Sequence, residues 1–369
     1  MVAQPSLAFC AQWEKHPEAT WSGTTIGLRK ALASYFDIED VSLIVPQRGE
    51  SICRGIARRL GRYDFDLGLM RRQESDLMRH GGVGAADTVF QFSEVPFPAT
   101  GRRSYIYQDL SVEWLLRCRN NDPELYSFTG FKGISGSAME KRAQIQRRFY
   151  QDAAGIFTMG KWQADFLVKE LGLPESKVHH VGGGINCPLP TKIPEKGSGA
   201  AFLFIGRDFK RKGGDLVVDA FRKLHEIDSS LRLVVAGPAQ NPCQGVKGID
   251  FRGDVNGCEV ASLFANSDVF VMPSRFEAYG LVFPEAMAFG LPCIGRDAFE
   301  MREFIDDGAN GKLVRSDDPD ELADAMWTCL KDEEIKASSR ANAGKASVCF
   351  SWDAVARRIA SIIVSDSCN

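Results

Sequence analysis

Two glutamates eight residues apart stand out in the stretch RFEAYGLVFPEAMAFGLP (275–292). Glu277 and Glu285 cannot share one face of a continuous helix, because a glycine and a proline interrupt the chain between them. Pro284 suits the first turn of a helix, so Glu285 is predicted near the positive end of that helix. Gly280 would let backbone amides of the turn approach a ligand closely. Two carboxylates beside such amides can bind a polyol that carries phosphate; the alternative is that both are ordinary capping glutamates.

A basic loop in the same half of the chain could supply the cations for such a ligand. In FLFIGRDFKRKGGDLVVDAF (202–221) an apolar run ends at Gly206, and a helix is predicted just after Gly213 and Gly214. The N-terminus of that helix would present free N–H groups to an anion. The loop between strand and helix carries four cationic side chains, Arg207, Lys210, Arg211 and Lys212. Phosphate binding is one interpretation of this loop, and a solvated basic turn is the other.

The elements that must position these loops alternate between short apolar runs and amphipathic segments. This alternation predicts βαβ units around parallel sheets. The predicted strands are 41–46, 87–95, 103–108, 155–159, 177–183, 201–206, 231–237, 249–253 and 269–273. The predicted helices include 27–36, 163–172, 214–227, 259–267 and 320–332.

A linker divides the chain into two α/β halves of similar size. Residues 187–200 (CPLPTKIPEKGSGA) are rich in proline and glycine, lack periodicity and follow the glycine run 182–184. We therefore predict an N-terminal Rossmann-like domain at 1–186 and a C-terminal one at 201–348. A ligand cleft between two such domains is the default expectation.

Composition excludes several other classes of protein. With 369 residues, 44% hydrophobic and 25% charged, the chain is typical of a soluble two-domain protein. A net charge of −3 gives no general attraction to nucleic acid. The ten cysteines are scattered singly, which favours free thiols in a reducing compartment. No signal peptide or membrane-spanning stretch is recognised, and GVGAAD (82–87) is a poor dinucleotide fingerprint because it precedes a predicted strand.

Several motifs in order resemble the retaining glycosyltransferases of family 4, which have the GT-B fold. They are FIGRDFKRKGGDLVVDAF, VVAGP, FRGDV, LFANSDVFVMPSRFEAYGLVFPEAMAFGLPCIG, FIDDGANGKLV, DDPDELADAM and FSWDAVARRI. The resemblance covers about residues 150–360 and is looser over 1–149. It implies two Rossmann-like domains that face each other across a cleft, with a C-terminal helix (349–369) that packs back on the first domain.

The resemblance also implies roles for individual residues. Arg207 and Lys212 would bind the donor diphosphate and stabilise the leaving group, and Glu277 would contact the donor sugar. Glu285 would bind the ribose of the nucleotide. The other implied donor-binding positions contribute mainly backbone groups, and they are Gly206, Gly253, Asp254, Val255, Ala278, Tyr279, Gly280 and Leu281.

In the N-terminal half, ATWSGTTIGLRKAL resembles a family glycine loop that opens the first helix. Ser22, Gly23 and Thr24 would lie on the donor side there, and the plain alternative is a helix N-cap. Many relatives carry a His-Asp pair where this chain has Gln108-Asp109. Glutamine cannot titrate, so only Asp109 remains as a candidate general base or acceptor-orienting group.

The implied activity is transfer of a sugar from a UDP- or GDP-sugar to a hydroxyl of a glycan or glycolipid, in cell-surface polysaccharide or glycoconjugate synthesis. No metal or other cofactor is expected, because helix N-termini and basic side chains would replace the cation. A non-catalytic sugar-nucleotide-binding protein and a nucleotide-sugar epimerase remain alternatives.

A cytoplasmic location is expected, with or without contact to the inner membrane face. Arg54, Arg58 and Arg62 fall on one stripe of a predicted helix and could contact anionic lipid; an ordinary solvated helix face is the alternative. Residues 120–149 mix loop residues with lysines and arginines and are expected to contribute to the acceptor mouth.

Overall fold

The computed structural model describes residues 4–13, 16–42, 84–92, 101–193 and 201–368. The chain divides into two compact units. Unit 1 comprises Met1–Gly183 together with Trp352–Asn369, and unit 2 comprises Gly184–Ser351. The predicted basic stripe at Arg54, Arg58 and Arg62 and the second half of the predicted linker lie outside the described residues.

Unit 1 is built on a parallel sheet with the strand order β2-β1-β3-β4-β5-β6. Its strands are β1 (Ser6–Ala11), β2 (Asp37–Ser42), β3 (Thr88–Phe92), β4 (Arg103–Gln108), β5 (Gly155–Thr158) and β6 (Val178–His180). Stacked aromatic side chains, among them Phe9 on β1, Phe90 on β3 and Phe157 on β5, fill its core. Such apolar strands are typical of a parallel sheet that is covered on both faces.

The helices of unit 1 include α1 (Thr24–Leu32), α2 (Val112–Asn121), α3 (Pro123–Ser127), α4 (Gly136–Asp152) and α5 (Lys161–Asp165). Helix α5 continues into a π-helical turn (Phe166–Glu170), and short 3₁₀ segments lie at Pro17–Gly23 and Glu175–Lys177. Helix α4 corrects the expectation of loop residues within 120–149. The Ser135 hydroxyl caps this helix by accepting a hydrogen bond from the Ala138 N–H, and buried residues such as Met139 and Phe149 line its inner face.

The C-terminal helix α12 (Trp352–Cys368) belongs to unit 1, as the fold prediction required. It packs on α1, where the Trp352 indole lies so close to Gly27 that a β-carbon would not fit. Arg358 donates from Nε to the Val181 carbonyl at 2.8 Å. The helix is thus fixed to the first sheet by both ring packing and a hydrogen bond.

Unit 2 is a second parallel sheet, with the order β12-β11-β10-β7-β8-β9. Its strands are β7 (Ala201–Ile205), β8 (Arg232–Ala236), β9 (Ile249–Gly253), β10 (Val269–Met272), β11 (Cys293–Arg296) and β12 (Gly311–Val314). Its helices are α6 (Gly214–Ile227), α7 (Gly257–Ala265), α8 (Val282–Ala288), α9 (Met301–Phe304), α10 (Pro319–Lys331) and α11 (Glu333–Cys349).

Three strands of these sheets were absent from the sequence prediction. β1 lies between β2 and β3 and is buried from Leu7 to Ala11. No amphipathic helical segment precedes it in the sequence, so the alternation of strands and helices does not mark it. β11 and β12 have four residues each, too few for a strand to show periodicity. Short strands inside a parallel sheet are specified by pairing with their neighbours, which a local pattern does not contain.

Candidate active site

The two loops singled out by the sequence leave the same edge of the second sheet. β7 and β10 are adjacent parallel strands, so residues 206–213 and 273–281 both follow carboxyl ends at that edge. The loops touch through their backbones: a β-carbon on Gly213 would lie 2.5 Å from the Pro273 carbonyl oxygen. Gly213 also has φ 75°, a left-handed conformation that favours glycine. The carboxyl edge of an open α/β sheet is the usual location of a ligand site.

Lys212 and Glu277 form an ion pair across these loops. Lys212 Nζ lies 2.6 Å from Glu277 Oε2, and a nitrogen of Arg211 lies 3.5 Å from the same oxygen. Both partners are largely buried, with side-chain exposures of 15% for Lys212 and 12% for Glu277. Burial by itself would raise the pKa of Glu277, but the two cations outweigh burial and hold that pKa below its usual range. Glu277 is therefore an ionised hydrogen-bond acceptor in a largely dry environment.

Glycines on both sides make room for this pair. A β-carbon on Gly206 would lie 2.5 Å from Lys212 Cδ, so only glycine lets the lysine cross the end of β7. Gly280 has φ 91°, and its carbonyl accepts the Phe283 N–H at 2.9 Å where α8 begins. The turn after β10 thus places Glu277 before a glycine bend and α8 after it.

Glu285 lies in the first turn of α8, as its position after Pro284 predicted. Its Oε1 accepts the Asn186 N–H at 3.1 Å, and the Cys187 N–H also bonds to the carboxyl group. Burial raises the pKa of Glu285 to about 7, against the opposing effect of those two amides. In this state the carboxyl group fixes the segment that begins unit 2, while its assigned ribose contact remains a prediction.

Arg207 and Asp254 occupy the exposed side of the same edge. Arg207 Nε lies 3.3 Å from Asp254 Oδ1, and the two side chains are 76% and 66% exposed. Gly253 ends β9 with φ 68°, and its carbonyl accepts the Gly237 N–H at 2.7 Å. Val255, the residue after Asp254, is partly buried. The structure therefore brings the predicted phosphate residue Arg207 beside Asp254, one of the implied donor-binding positions, with both side chains exposed.

The turn residues between the glutamates differ in what they can offer a ligand. Tyr279 is 3% exposed, and its ring packs edge-on against Phe304 with centroids 5.1 Å apart. Ala278 is buried and Leu281 is partly buried. With the Tyr279 and Ala278 side chains packed inward, the backbone is the part of this turn that a ligand could meet.

Sequence reasoning missed Arg275, which lies in the loop after β10 and bonds to the loop after β7. It contacts Asp215 in the first turn of α6 and Asp317 before α10, at 2.8 Å and 2.7 Å. The available signal was an arginine two residues before Glu277 together with an aspartate directly after the Gly213-Gly214 pair. Neither position is informative until the fold brings them together across 60 residues.

In unit 1, the predicted loop Ser22–Thr24 also lies at a carboxyl edge, after β1. Trp21, Ser22 and Gly23 have φ values of 48°, 56° and 88°, so three successive residues are left-handed before α1 begins. Trp21 packs edge-on against Phe92 at the end of β3, with centroids 4.7 Å apart. β1 lies between β2 and β3, the point where the strand order reverses and ligands of doubly wound sheets usually bind.

Gln108 lies at the end of β4 and is buried. Its Nε2 donates to the Tyr150 hydroxyl at 2.7 Å, and the buried Gln146 amide lies beside it at 3.5 Å. Gln146 in turn accepts the Val112 N–H at 2.8 Å. Gln108 is thus part of a neutral buried network that joins β4, α2 and α4. Asp109 follows it and is partly buried, and its role as a base stays a prediction.

No group of three or more His, Cys, Asp or Glu residues suited to holding a metal ion occurs in the part of the chain that the structure describes. Within those same ranges, no helix is both long and apolar enough to cross a membrane.

Two doubly wound parallel sheets, the second with charged loops at its carboxyl edge, define an α/β protein with two Rossmann-like units. The predicted GT-B fold is confirmed by solved structures. WaaG, a glycosyltransferase involved in lipopolysaccharide biosynthesis, superposes with a TM-score of 0.69 at 16% identity over 97% of this chain and 99% of its own. Alr3699/HepE from Anabaena, in complex with UDP and glucose, gives 0.64 at 14% identity over 98% and 100%.

The family model described as glycosyl transferases group 1 matches residues 199–332. The phosphatidyl-myo-inositol mannosyltransferase of Mycobacterium leprae is 28% identical over 58% of this chain and 60% of its own length. The D-inositol 3-phosphate glycosyltransferase of Xylanimonas cellulosilytica is 28% identical over 53% and 52%. The chain thus spans about half the length of the curated relatives it matches. The resemblance to group 1 glycosyltransferases is confirmed for the segment that holds Lys212 and Glu277.

Proposed function

We propose that this protein is a glycosyltransferase that moves a sugar from a nucleotide-diphosphate donor, a UDP- or GDP-sugar, to a hydroxyl of a glycan or glycolipid. The observation that carries the proposal is the buried pair of Lys212 and Glu277 at the carboxyl edge of the second sheet. It lies inside the segment that the family model matches.

The chemistry of this pair suits the donor. An ionised, largely dry carboxylate is a strong acceptor for sugar hydroxyls, and a lysine beside it carries the charge that a diphosphate needs. The leaving nucleoside diphosphate gains negative charge as the glycosidic bond breaks. Lys212, with Arg211 nearby and Arg207 on the exposed side, would stabilise that charge, and such preorganised stabilisation is often the largest catalytic contribution.

The proposal extends to two finer properties. The reaction would need no metal ion, because the basic loop supplies the positive charge near the diphosphate. It would retain the anomeric configuration, as the resemblance to family 4 implies, and Asp109 would orient the acceptor or act as base. The anomeric configuration of the product, read by NMR, and activity in the presence of a chelator check these two properties separately.

For the acceptor we favour a polyol or glycan attached to a lipid, in synthesis of a cell-surface polysaccharide or glycoconjugate at the cytoplasmic face of the membrane. The names of the relatives support this class, since two of them act on inositol derivatives and one structural neighbour acts in lipopolysaccharide biosynthesis.

The test is a panel of UDP-, GDP- and ADP-sugars with the purified protein, measuring slow donor hydrolysis, transfer to simple acceptors and nucleotide binding. Lys212→Met should lower the rates of hydrolysis and transfer by about a hundredfold or more, whereas Lys223→Met, which removes an exposed lysine paired with Asp320 on α10, should not change them. Donor binding without hydrolysis or transfer would favour the non-catalytic sugar-nucleotide-binding protein, with which the buried, non-titrating Gln108 agrees. Interconversion of two sugar nucleotides would identify an epimerase, and no binding of any nucleotide would refute the proposal.

A further inference from the structure

Arg275 follows β10 at the carboxyl edge of the second sheet. Its side chain is 13% exposed. Nη1 and Nη2 bond to the two oxygens of Asp215 at 2.8 Å and 3.1 Å, and Nε bonds to Asp317 at 2.7 Å. Nη1 also donates to the Lys210 carbonyl. All three nitrogens of the guanidinium group are therefore engaged by this fold.

The same residue joins the two loops of the candidate site through the backbone. The Arg275 N–H donates to the Arg211 carbonyl at 2.8 Å, and Arg211 Nη1 returns a bond to the Phe276 carbonyl at 2.9 Å. Residues 210 and 211 are thus held on both sides by residues 275 and 276. Lys212 is the next residue along the loop, and Glu277 is the next residue along the turn.

Electrostatics explain why such a clamp is needed. Arg211 and Lys212 are adjacent cations that share the Glu277 carboxylate. Like charges this close repel each other, and bonds to the loop backbone oppose that repulsion. The carboxylates of Asp215 and Asp317 form ion pairs with Arg275, and Asp317 also pairs with Arg296. Lys212 pairs instead with Glu277.

We infer that Arg275 is a positioning residue, which fixes the loop 207–213 so that Arg211 and Lys212 meet the diphosphate of the donor. The inference rests on the proposed function. It assigns to Arg275 an action through Lys212 and no contact with the donor.

Lysine cannot replace arginine here. A single ammonium group cannot bond to Asp215 in bidentate fashion while also reaching Asp317 and the Lys210 carbonyl. Arg275→Lys should therefore fail to restore the position of Lys212 even though it keeps the charge.

The experiment compares the affinity of the full chain for a nucleoside diphosphate with its affinity for the corresponding nucleoside, using whichever of UDP, GDP and ADP the wild type binds. Arg275→Lys and Arg275→Met should lower the affinity for the nucleoside diphosphate by about tenfold or more, because both variants lose charge-assisted hydrogen bonds that position the loop. The affinity for the nucleoside should not change. Arg222→Lys is the matched control, because Arg222 is an exposed arginine on α6 that pairs with the exposed Asp219.

Coupling to Lys212 separates positioning from a general structural role. In the Lys212→Met background, Arg275→Met should add little further loss of diphosphate affinity, because the group that it positions is already absent. Asp317→Asn gives a milder test if Arg275→Met does not fold, since Asp317 is half exposed and contributes one of the bonds. Unchanged diphosphate affinity in both Arg275→Lys and Asp317→Asn, or equal loss for nucleoside and diphosphate, would overturn the inference. A wild type that binds no nucleoside diphosphate would instead refute the proposed function.

Discussion

The carboxyl edges of the two sheets use different physical means to hold their loops. In unit 2 the loops are held by charges: Lys212 with Glu277, and Arg275 between two aspartates. In unit 1 the corresponding edge has the neutral, buried Gln108 network and a loop of three left-handed residues at 21–23.

The difference indicates which edge is prepared for a charged ligand. Burying an ion pair costs desolvation, which only well-aligned partners offset. The buried pairs of unit 2 therefore favour this edge as the one that binds a charged ligand. Neutral amide and hydroxyl groups, such as those of the Gln108 network, attract a charged ligand much less strongly than ionised side chains do. We therefore expect changes in unit 2 to alter nucleotide binding, and changes in unit 1 to alter stability first.

The largest effect is expected from Lys212→Met. Removing the cation should lower kcat/KM with the preferred sugar nucleotide by about a hundredfold or more. It should also destabilise the fold by about 3 kcal/mol, because it leaves Glu277 buried without its nearest cation. Urea unfolding of Lys212→Met, Glu277→Gln and the double variant measures the second effect.

In that series the double variant should regain part of the lost stability and none of the activity, since it removes both charges. Activity close to that of the wild type in Lys212→Met would show that the charged edge of unit 2 is not the catalytic site.

A second expectation concerns the two glutamates, whose pKa values are shifted in opposite directions. Glu285 has a folded-state pKa of about 7, raised from 4.5, so its protonated form stabilises the fold fully below about pH 4.5 and this contribution is lost as the pH rises through 7. Glu285→Gln does not titrate. Its unfolding free energy relative to wild type should therefore rise by about 3 kcal/mol between about pH 4 and pH 8.

Glu277→Gln is the paired control. The folded-state pKa of Glu277 is lowered, so its contribution is present above the unfolded value and is lost as the pH falls. The relative stability of Glu277→Gln should thus fall as the pH rises through the acidic range. Parallel curves for the two variants would mean that the two environments do not differ as described.

In unit 1, Gln108→Leu should cost about 1–3 kcal/mol, because it deprives the buried Tyr150 hydroxyl of its amide partner. Nucleoside diphosphate affinity should be unchanged, since the network lies within unit 1. Gln151→Leu is the matched control: Gln151 is the exposed residue that follows Tyr150 on α4, and this change should have almost no effect on stability. Loss of nucleotide affinity in Gln108→Leu alone would assign the neutral edge a direct part in donor binding.

The smallest expected effect is that of Gly23→Ala, which places a β-carbon at φ 88° and should cost about 1–2 kcal/mol. Gly344→Ala, at an open position on α11, should instead leave stability unchanged or raise it by up to about 1 kcal/mol. Thermal unfolding of both variants makes the comparison. An equal change in melting temperature for both variants would indicate that the left-handed backbone at Gly23 imposes no strain on an alanine.

Much of the local structure could be predicted from the sequence. The strands and helices around 201–227 and 269–288 follow from apolar runs, glycines and Pro284, because each depends on residues a few positions apart. The GT-B resemblance added the order of these pieces. Helix α4 and strands β1, β11 and β12 were missed, since pairing and packing with distant neighbours, more than any local period, specify them.

The sequence by itself therefore determined the alternating α/β pattern, the basic loop before α6 and the two glutamates around a glycine turn. Only the tertiary structure decided that Lys212 meets Glu277 across 65 residues, that Arg275 bonds to the loop after β7, and that Gln108 is a buried amide with a tyrosine partner. The physical reason is the same in each case. A local pattern records backbone preference and burial, whereas the pairing of charged and polar groups depends on which strand ends the sheet brings side by side.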